Sequence, residues 1–239
     1  MSNAVKTIGV LTSGGDAPGM NAAIRAVVRT GISNGLKVKG IRRGYAGLLE
    51  EDIIDMNNLS VSDIIQTGGT ILYTARCLEF KKKEYQKKAA DICRKHGIDG
   101  IVVIGGDGSF NGASRLSEQG INTIGVPGTI DLDIACTEYT IGFDTAINTA
   151  MEAIDKLRDT SESHERCSVV EVMGRTAGHI ALWTGIASGA EYILTTEKYH
   201  GDIQRIITKI QDRRKLGKKN HIIVNAEGVG NSAEMAKII

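Results

Sequence analysis

The sequence predicts an α/β protein with a mainly parallel sheet, because short apolar runs alternate with amphipathic stretches along nearly the whole chain. The run at 101–104 (IVVI) contains no polar residue, which is typical of a parallel strand covered on both faces. The stretch at 144–158 carries its apolar residues at helical spacing, and Asp144 is its candidate N-cap. These patterns together indicate strands that alternate with helices.

Taken in chain order, the other elements follow the same patterns. Further strands are predicted at 7–12, 124–126, 168–172 and 221–224, and further helices at 21–33 and 81–95. The last three strands resemble the run at 101–104, so we expect them to be covered in the same way. The inner face of the long helix is expected to include Phe143, Ile154 and Leu157. A Gly-rich loop precedes that helix, so we place a domain boundary near Gly142.

Charge and composition exclude several classes of protein. The 239 residues include 29 Lys and Arg against 28 Asp and Glu, a formal charge of +1, which argues against a nucleic-acid surface built on net positive charge. The 41% hydrophobic share excludes a disordered chain, and the 29 glycines suggest many tight turns. No apolar run approaches the ~20 residues of a membrane span, and the N-terminus lacks a signal-peptide pattern.

The cysteines indicate neither a metal cluster nor a disulfide framework, because they lie far apart and form no CxxC pair. They are Cys77, Cys93, Cys136 and Cys167. Free thiols suit a reducing compartment. We therefore expect a soluble, cytoplasmic protein without membrane or nucleic-acid partners.

Two glycine-rich loops follow predicted strands, at the position where open parallel sheets bind their ligands. The glycines of Thr12–Gly19 allow either the close approach of an anion or a simple tight turn. Gly105–Ser109 (GGDGS) is neither a Walker A loop nor a GxGxxG motif. Asp107 among these glycines suits Mg²⁺ on phosphate oxygens, and the alternative is that it only caps the next helix. We favour the metal site because capping does not require three glycines.

Charged residues follow two further strands. Asp131 and Asp133 are two residues apart, so an extended segment would place both on one side. One could then accept a proton from a hydroxyl while the other lies near a cation, and the alternative is a pair of solvated carboxylates. Arg175 follows the strand at 168–172, and Arg76 ends another Gly-rich segment. Guanidinium groups stabilise charge in phosphoryl transfer, although a single Arg is more often part of a surface ion pair.

Six motifs together resemble those of the bacterial ATP-dependent 6-phosphofructokinases. They are LTSGGDAPGMNAAIR (11–25), GGTILYTAR (68–76), IGGDGS (104–109), PGTID (127–131), YTIGFDTA (139–146) and VEVMGR (170–175). Their order along essentially the whole chain is more specific than any single loop. The resemblance implies two Rossmann-like αβα sandwich domains with mainly parallel sheets. Residues 1–141 would bind ATP and Mg²⁺, and residues 142–239 would bind the sugar phosphate.

The resemblance also implies the reaction, which is transfer of the γ-phosphoryl group of ATP to the 1-hydroxyl of fructose 6-phosphate in glycolysis. Asp131 would be the general base, and Asp107 would hold Mg²⁺. The implied catalytic residues are Gly15, Thr129, Asp131 and Arg175. The implied nucleotide-binding residues are Gly15, Arg76, Cys77, Gly106, Asp107, Gly108 and Ser109. The implied sugar-phosphate residues are Thr129, Ile130, Asp131, Arg166, Met173, Gly174, Arg175 and Glu227.

Regulation, assembly and donor choice follow from the same resemblance. ADP or phosphoenolpyruvate would bind an effector site formed by Arg25, Arg29, Arg158, Gly189, Ala190, Glu191, Lys218 and Lys219. From their spacing alone, the first two would be solvated residues on one helix face. Arg166 resembles a residue that reaches the sugar phosphate of a neighbouring subunit, which implies a homo-oligomer, typically a tetramer. Pyrophosphate-dependent relatives tend to carry Asp at position 108 and Lys at 128, so the glycines found here predict ATP as donor.

Two features depart from the family pattern. Leu132 occupies a position where relatives usually carry Asn, so we expect reduced turnover. Relatives continue well beyond the position of Ile239, so we expect a C-terminally incomplete fold, an incomplete acceptor pocket and weak or no activity. The alternative function is therefore a catalytically weak nucleotide-binding or regulatory copy of the enzyme. A GGDG kinase acting on NAD or lipid is disfavoured because PGTID and VEVMGR occur together.

Overall fold

The structure, a computed structural model, describes residues 5–135 and 137–239, so Cys136 and the first four residues lie outside the described ranges. The strands are β1 Thr7–Ser13, β2 Lys37–Ile41, β3 Ile53–Met56, β4 Gly100–Gly105, β5 Asn122–Thr129, β6 Ile141–Gly142, β7 Cys167–Val172, β8 Tyr192–Leu194 and β9 His221–Ala226. The α-helices are α1 Met20–Ser33, α2 Gly44–Leu49, α3 Lys83–Lys95, α4 Asp107–Glu118, α5 Phe143–Ser163, α6 His179–Ala187, α7 Ile203–Lys215 and α8 Ser232–Ile238. Short 3-10 helices lie at Leu59–Val61, Glu79–Lys81 and Glu227–Val229.

The chain divides into two compact units. The first unit runs to Thr129 and also contains Asp133–Gly142. The second unit contains Phe143–Ile239 together with the short segment Ile130–Leu132. The chain therefore passes into the second unit for three residues and returns before it finally leaves the first.

The first unit is built on a six-stranded sheet in the order β3-β2-β1-β4-β5-β6. Only β3, which pairs with β2, is antiparallel. β1 and β4 pair in parallel, with Ser13 opposite Gly105, so their carboxyl ends lie side by side. One core of this unit packs α3 and α4 residues such as Ile92 and Leu116 against Ile101 and Val103 of β4. The mainly parallel α/β fold predicted from the sequence is confirmed.

The second unit contains a three-stranded parallel sheet in the order β7-β9-β8. Every residue of the central strand β9 is buried, as its apolar run predicts. Phe143 and Ile154 of α5 pack into a core with Ile180 and Ala181 of α6 and with the β9 side chains. A second core forms where Ile206 and Ile210 of α7 meet Leu194 and Ile223.

Several local predictions were wrong. β5 and β7 are not enclosed like β4, since Ile124 is 66% exposed and most of β7 is only half-buried. Asp144 is not an N-cap, because α5 already begins at Phe143 and Asp144 lies in its first turn. Leu157 is 44% exposed, because the buried face of α5 continues from Ile154 to Ser161 and does not include position 157. The two other helices with predicted bounds, α1 and α3, begin within two residues of their predicted starts.

Neither a membrane span nor a disulfide is found in the described part of the chain. No helix there is both long enough and apolar enough to cross a bilayer. Cys77, Cys93 and Cys167 are free thiols. Burial raises the pKa of both the Cys93 thiol and the Cys167 thiol to about 11.

Candidate active site

The ends of β1 and β4 form one edge of the first unit, and a buried serine joins them. Ser109 Oγ donates a hydrogen bond to the Ser13 carbonyl at 2.9 Å. A Cβ added to Gly105 would lie 2.6 Å from that same carbonyl oxygen, so only glycine allows the two strand ends to come this close. Gly105 therefore allows two backbone segments to come together at the carboxyl edge of the sheet, where the fold class places its ligands.

Asp107 is the first residue of α4 and is exposed. The N-cap position belongs to Gly106, and no side chain caps this helix, so the alternative role of Asp107 as a cap is excluded. Its Oδ2 accepts a hydrogen bond from Asn111 Nδ2 at 3.1 Å, one turn along the helix. A carboxylate at a helix N-terminus that faces solvent is a suitable ligand for a phosphate-bound Mg²⁺.

The neighbouring glycines leave open space above this edge. A Cβ built on Gly15 or on Gly108 would have no heavy atom within 4 Å. A Cβ on Gly106 would lie 3.6 Å from the Thr129 Cβ, which brings the end of β5 next to the GGDGS loop. Gly15, Gly106, Gly108, Ser109 and Thr129 thus lie along three adjacent strand ends of the first unit.

The segment that carries Arg76 is held by two buried polar residues that the sequence analysis did not single out. Asn21 of α1 donates from Nδ2 to the Gly68 carbonyl at 3.1 Å and accepts the Ile71 N–H at 2.8 Å. Thr12 of β1 donates to the Tyr73 carbonyl at 2.9 Å. These contacts fix a segment that has no helix or strand of its own. In the sequence, Asn21 and Thr12 are marked only by lying within the motif LTSGGDAPGMNAAIR (11–25).

Arg76 ends this anchored segment, and Cys77 follows it. Arg76 is exposed, and Thr74 just before it donates to the Gly14 carbonyl at 2.6 Å. That bond ties the segment to the loop after β1. Cys77 is half-buried, and burial is the main reason that its thiol has a raised pKa. Cys77 is therefore a packing residue with a protonated sulfur at neutral pH.

The segment that carries Asp131 and Asp133 does not have the predicted backbone conformation. β5 ends at Thr129, and Leu132 has a φ of +55°, in the left-handed region. The segment is therefore not extended, so the expected conformation, from which a shared side for Asp131 and Asp133 was inferred, was wrong. Asp131 groups with the second unit and Asp133 with the first. Ile130 and Leu132, on either side of Asp131, pack against the core of the second unit, which anchors the predicted base there.

Arg175 lies in a strained turn after β7. Gly174 has a φ of +140° and Arg175 a φ of +58°. The carboxylate of Glu227 accepts the N–H groups of both residues, at 3.0 Å and 2.5 Å. The structure thus brings together Gly174, Arg175 and Glu227, three residues of the predicted sugar-phosphate set. Met173, 63% exposed, precedes the turn.

The far end of the same turn is held by two residues that the sequence analysis missed. Glu197 accepts the Gly178 N–H at 2.8 Å, and Thr196 donates to the Thr176 carbonyl at 2.8 Å. Both residues follow β8, whose carboxyl end lies on the same edge as those of β7 and β9. Glu197 lies shortly after β8, but β8 was not predicted from the sequence, so this carboxylate was not singled out.

Most of the predicted effector residues belong to the second unit, where Glu191 and Lys218 contact each other. Arg158 donates to the Ser188 carbonyl, next to Gly189. Glu191 is ion-paired with Lys218 and accepts the Ile222 N–H at 2.7 Å. Burial opposes ionisation of Glu191, but the Ile222 N–H and the Lys218 ammonium hold the pKa of its carboxyl below its ordinary value.

The other effector residues lie apart from this group. Lys219 pairs with Glu165, and Ala190 packs against the core of the second unit. Arg25 and Arg29 belong to α1 of the first unit. The Arg25 guanidinium is half-buried and donates to the Val61 carbonyl, so it is not a freely solvated side chain, whereas Arg29 is exposed. Arg166, predicted to reach a neighbouring subunit, is exposed just before β7.

No cluster of three or more His, Cys, Asp or Glu side chains able to hold a metal ion occurs among residues 5–135 and 137–239. The predicted Mg²⁺ site does not require one, because Mg²⁺ commonly uses one or two carboxylates, water and phosphate oxygens. Asp107 fits that role by its exposure and by its position at the start of α4.

The fold and the glycine-lined strand ends define an α/β protein of the class that binds phosphorylated ligands. The family model described as phosphofructokinase matches residues 7–239. The ATP-dependent 6-phosphofructokinase of Thermoanaerobacter sp. (strain X514) is 65% identical over 236 residues, which cover 98% of this chain and 73% of that protein. The chain therefore belongs to the phosphofructokinase family, and the predicted family is confirmed.

Solved structures agree with this assignment. Phosphofructokinase from Saccharomyces cerevisiae is 38% identical with a TM-score of 0.88, over 97% of this chain and 36% of that one. The chain thus spans about a third of the yeast protein's length. A pyrophosphate-dependent phosphofructokinase from Marinobacter aquaeolei is 25% identical with a TM-score of 0.81, over 98% of this chain and 65% of that one. The fold is thus shared by proteins named for different phosphoryl donors.

Proposed function

We propose that this chain transfers the γ-phosphoryl group of ATP to the 1-hydroxyl of fructose 6-phosphate. The observation that carries the proposal is the 65% identity, over 98% of the chain, with a protein named ATP-dependent 6-phosphofructokinase. In the step proposed, the hydroxyl oxygen bonds to the γ-phosphorus while the bond to the leaving oxygen of ADP breaks. The hydroxyl proton passes to the carboxylate of Asp131.

The first unit supplies the donor side of this reaction. Asp107, exposed at the start of α4, would hold Mg²⁺ together with phosphate oxygens. When bound, the ion neutralises negative charge on the transferring group. The space above Gly15 and Gly108 leaves room for phosphates near backbone N–H groups. Arg76 is exposed at the end of the segment fixed by Asn21, so its guanidinium can bind the donor phosphates.

The second unit supplies the acceptor side. Asp131 lies between Ile130 and Leu132, which pack against the core of the second unit, and this packing limits the movement of the proposed base. Arg175 projects from a turn whose N–H groups are already bonded to Glu227, so its guanidinium can bind phosphate or transition-state charge. The proposed sugar-phosphate set also contains Thr129, Ile130, Arg166, Met173 and Gly174.

A coupled assay with ATP and fructose 6-phosphate tests this function. Asp131→Asn should lower kcat by ~10²–10⁴-fold, the usual contribution of a general base. Asp107→Asn should raise the Mg²⁺ concentration needed for half-maximal rate. Asp91→Asn is the matched control, since Asp91 is exposed and pairs only with Arg94 of its own helix. Wild-type rates in Asp131→Asn would contradict the proposed base.

The same assay separates the two candidate functions. It is run on this chain and on the chain extended by the part of the Thermoanaerobacter relative that the alignment leaves uncovered. Turnover by both forms supports the kinase. Nucleotide binding without turnover, with activity appearing only in the extended form, would favour the weak or regulatory copy. Absence of activity in both forms would contradict the proposal.

ATP is the proposed donor, and Gly108 is the position that tests it. A Cβ at Gly108 has nothing within 4 Å, so Gly108→Asp should fold normally. Its carboxylate would repel the nucleotide phosphates, so the KM for ATP should rise by at least tenfold. Gly108→Ala is the control for the change in backbone freedom. Pyrophosphate that supports wild-type turnover as well as ATP does would refute the donor assignment.

We also propose ADP or phosphoenolpyruvate control, homo-oligomer formation, with a tetramer as the expected state, and a cytoplasmic location. Arg158, which is bonded to the Ser188 carbonyl, and Lys218, which is ion-paired with Glu191, are the cations of the second unit that support an anion site. Arg25→Ala should abolish ADP activation with little loss of basal rate, and unchanged activation would refute the role of Arg25 in the effector site. Trp183 and Ile186 of α6, 52% and 65% exposed, support a protein contact, which sedimentation can measure. Free thiols support the reducing cytoplasm.

A further inference from the structure

The turn at residues 174–178, here called the Arg175 turn, holds a conformation that its sequence does not favour. Ala177 N–H donates to the Gly174 carbonyl at 2.9 Å, which closes the turn. Within it, Arg175 has a φ of +58°, a left-handed backbone that non-glycine residues rarely adopt. Such conformations persist only where the surroundings fix them, and they occur often at functional sites. The contacts that fix this turn therefore bear on the direction of the Arg175 side chain.

Two carboxylates hold the Arg175 turn, one at each end. Glu227 accepts the N–H groups of Gly174 and Arg175 at the first end. Glu197 accepts the Gly178 N–H at 2.8 Å at the second end. Thr196 adds a hydrogen bond to the Thr176 carbonyl. Glu227 belongs to the proposed sugar-phosphate set, whereas Glu197 and Thr196 have so far been assigned no role.

The fit around Glu197 is close. A Cβ on Gly178 would lie 2.5 Å from Glu197 Oε2, so the carboxylate lies directly against the backbone of the turn. The Gly178 N–H is the main cause that holds the pKa of the Glu197 carboxyl below its ordinary value. The side chain is therefore ionised at neutral pH, and hydrogen bonds to an ionised acceptor are stronger than neutral ones.

We propose that Glu197 is a positioning residue for Arg175. Its carboxylate fixes the second end of the Arg175 turn and so keeps the guanidinium in one direction for the phosphorylated acceptor. This inference rests on the proposed function, because it assumes that Arg175 contacts the sugar phosphate. It assigns Glu197 no contact with substrate.

The test compares Glu197→Ala with Glu197→Gln, because Gln keeps an oxygen acceptor for the Gly178 N–H. Glu197→Ala should raise the KM for fructose 6-phosphate by ~10-fold, since small displacements of a substrate-orienting group cost up to ~10²-fold. The KM for ATP should stay within about twofold of wild type, and Glu197→Gln should restore most of the loss. Glu152→Ala is the control, a 71% exposed side chain that pairs only with Lys156 on α5.

Two further measurements keep the result decisive. Amide exchange of a peptide covering residues 173–178 should speed up in Glu197→Ala and not in the control. Calorimetric binding of fructose 6-phosphate should weaken by a similar ~10-fold factor, and this readout does not depend on turnover. Should Glu197→Ala fail to fold, Thr196→Val removes the neighbouring hydrogen bond with little change of shape and should raise the same KM about threefold.

Each outcome decides the matter. Unchanged exchange in the turn, or faster exchange with wild-type KM and binding, would reduce Glu197 to a structural contact and overturn the proposal. Equal loss of affinity for ATP and for fructose 6-phosphate, or a Gln variant no better than the Ala variant, would also overturn it. Wild-type protein that neither binds nor phosphorylates fructose 6-phosphate would contradict the proposed function itself, and the positioning role with it.

Discussion

Asn21 offers the sharpest test of how the donor side of the site is held. Its side chain is 2% exposed, accepts the Ile71 N–H at 2.8 Å, and donates to Gly68 and Thr67 oxygens at 3.0–3.1 Å. One amide group has two hydrogens, so about three hydrogen bonds disappear in Asn21→Ala. At ~1 kcal/mol each, less ~0.6 kcal/mol for the better helix former, the free energy of unfolding should fall by about 2 kcal/mol.

Asn21→Asp separates the donated bonds from the accepted one. It keeps the acceptor for Ile71 but turns a carboxylate oxygen towards the Thr67 and Gly68 carbonyls. We therefore expect a larger loss than in Asn21→Ala. The loss in Asn21→Ala should lower the melting temperature by ~4–8 °C for a chain of this length. Asn34→Ala is the control, an exposed residue whose side chain bonds only within α1.

Thermal unfolding and amide exchange at Ile71 provide the measurements. The KM for ATP should rise in both Asn21 variants, because Arg76 loses its anchored segment. A loss below ~0.5 kcal/mol in Asn21→Ala, within the range of ordinary surface substitutions, would refute the reasoning. An Asp variant more stable than the Ala variant would refute it as well, since the order of the two depends on the direction of the amide donors.

Three further predictions concern single residues. Asp99 accepts hydrogen bonds from the Lys6 and Thr7 N–H groups, which lower the pKa of its carboxyl. The wild-type protein should therefore be more stable than Asp99→Asn at pH 6, and this difference should be lost as the pH falls below about 4. Urea titrations at several pH values can measure it. Leu132→Asn should raise kcat. The unfolding midpoint should shift little, because Asn tolerates the left-handed backbone better than Leu and this gain offsets the lost apolar contact. An unchanged kcat would show that the position is permissive. Cys93, buried with a pKa of about 11, should resist alkylation at pH 8 until the protein unfolds, and mass spectrometry showing rapid native labelling would contradict this.

The sequence predicted the strand ends of the first unit because their signals are local. Apolar runs give β1 and β4, and the glycines after them mark the loops whose backbones come together. Asp107 could be favoured as a metal ligand on the same basis, and its position at the start of α4 excludes the capping alternative. Patterns of this kind depend on residues within one turn or one strand.

The features that could not be predicted depend on packing between distant parts of the chain. The residues around Leu132 do not indicate a left-handed backbone, because Leu disfavours that conformation. It is fixed instead by the packing of this segment against the core of the second unit. Asn21 bonds to residues about 50 positions away, and Glu197 to a residue 19 positions away. β8 has only three residues, too few for a periodic signal, so the carboxylate that follows it went unnoticed.

The brief excursion of Ile130–Leu132 restricts how this polypeptide can be dissected. A fragment cut after Gly142 would retain Ile130 and Leu132 but lose the apolar partners that surround them. The complementary fragment would lack the aspartate on which the chemistry is proposed to depend. A chimera joined after Gly142 should therefore take residues 130–132 from the same parent as the second unit. When segments are exchanged between relatives, residues 130–132 should be kept with the second unit.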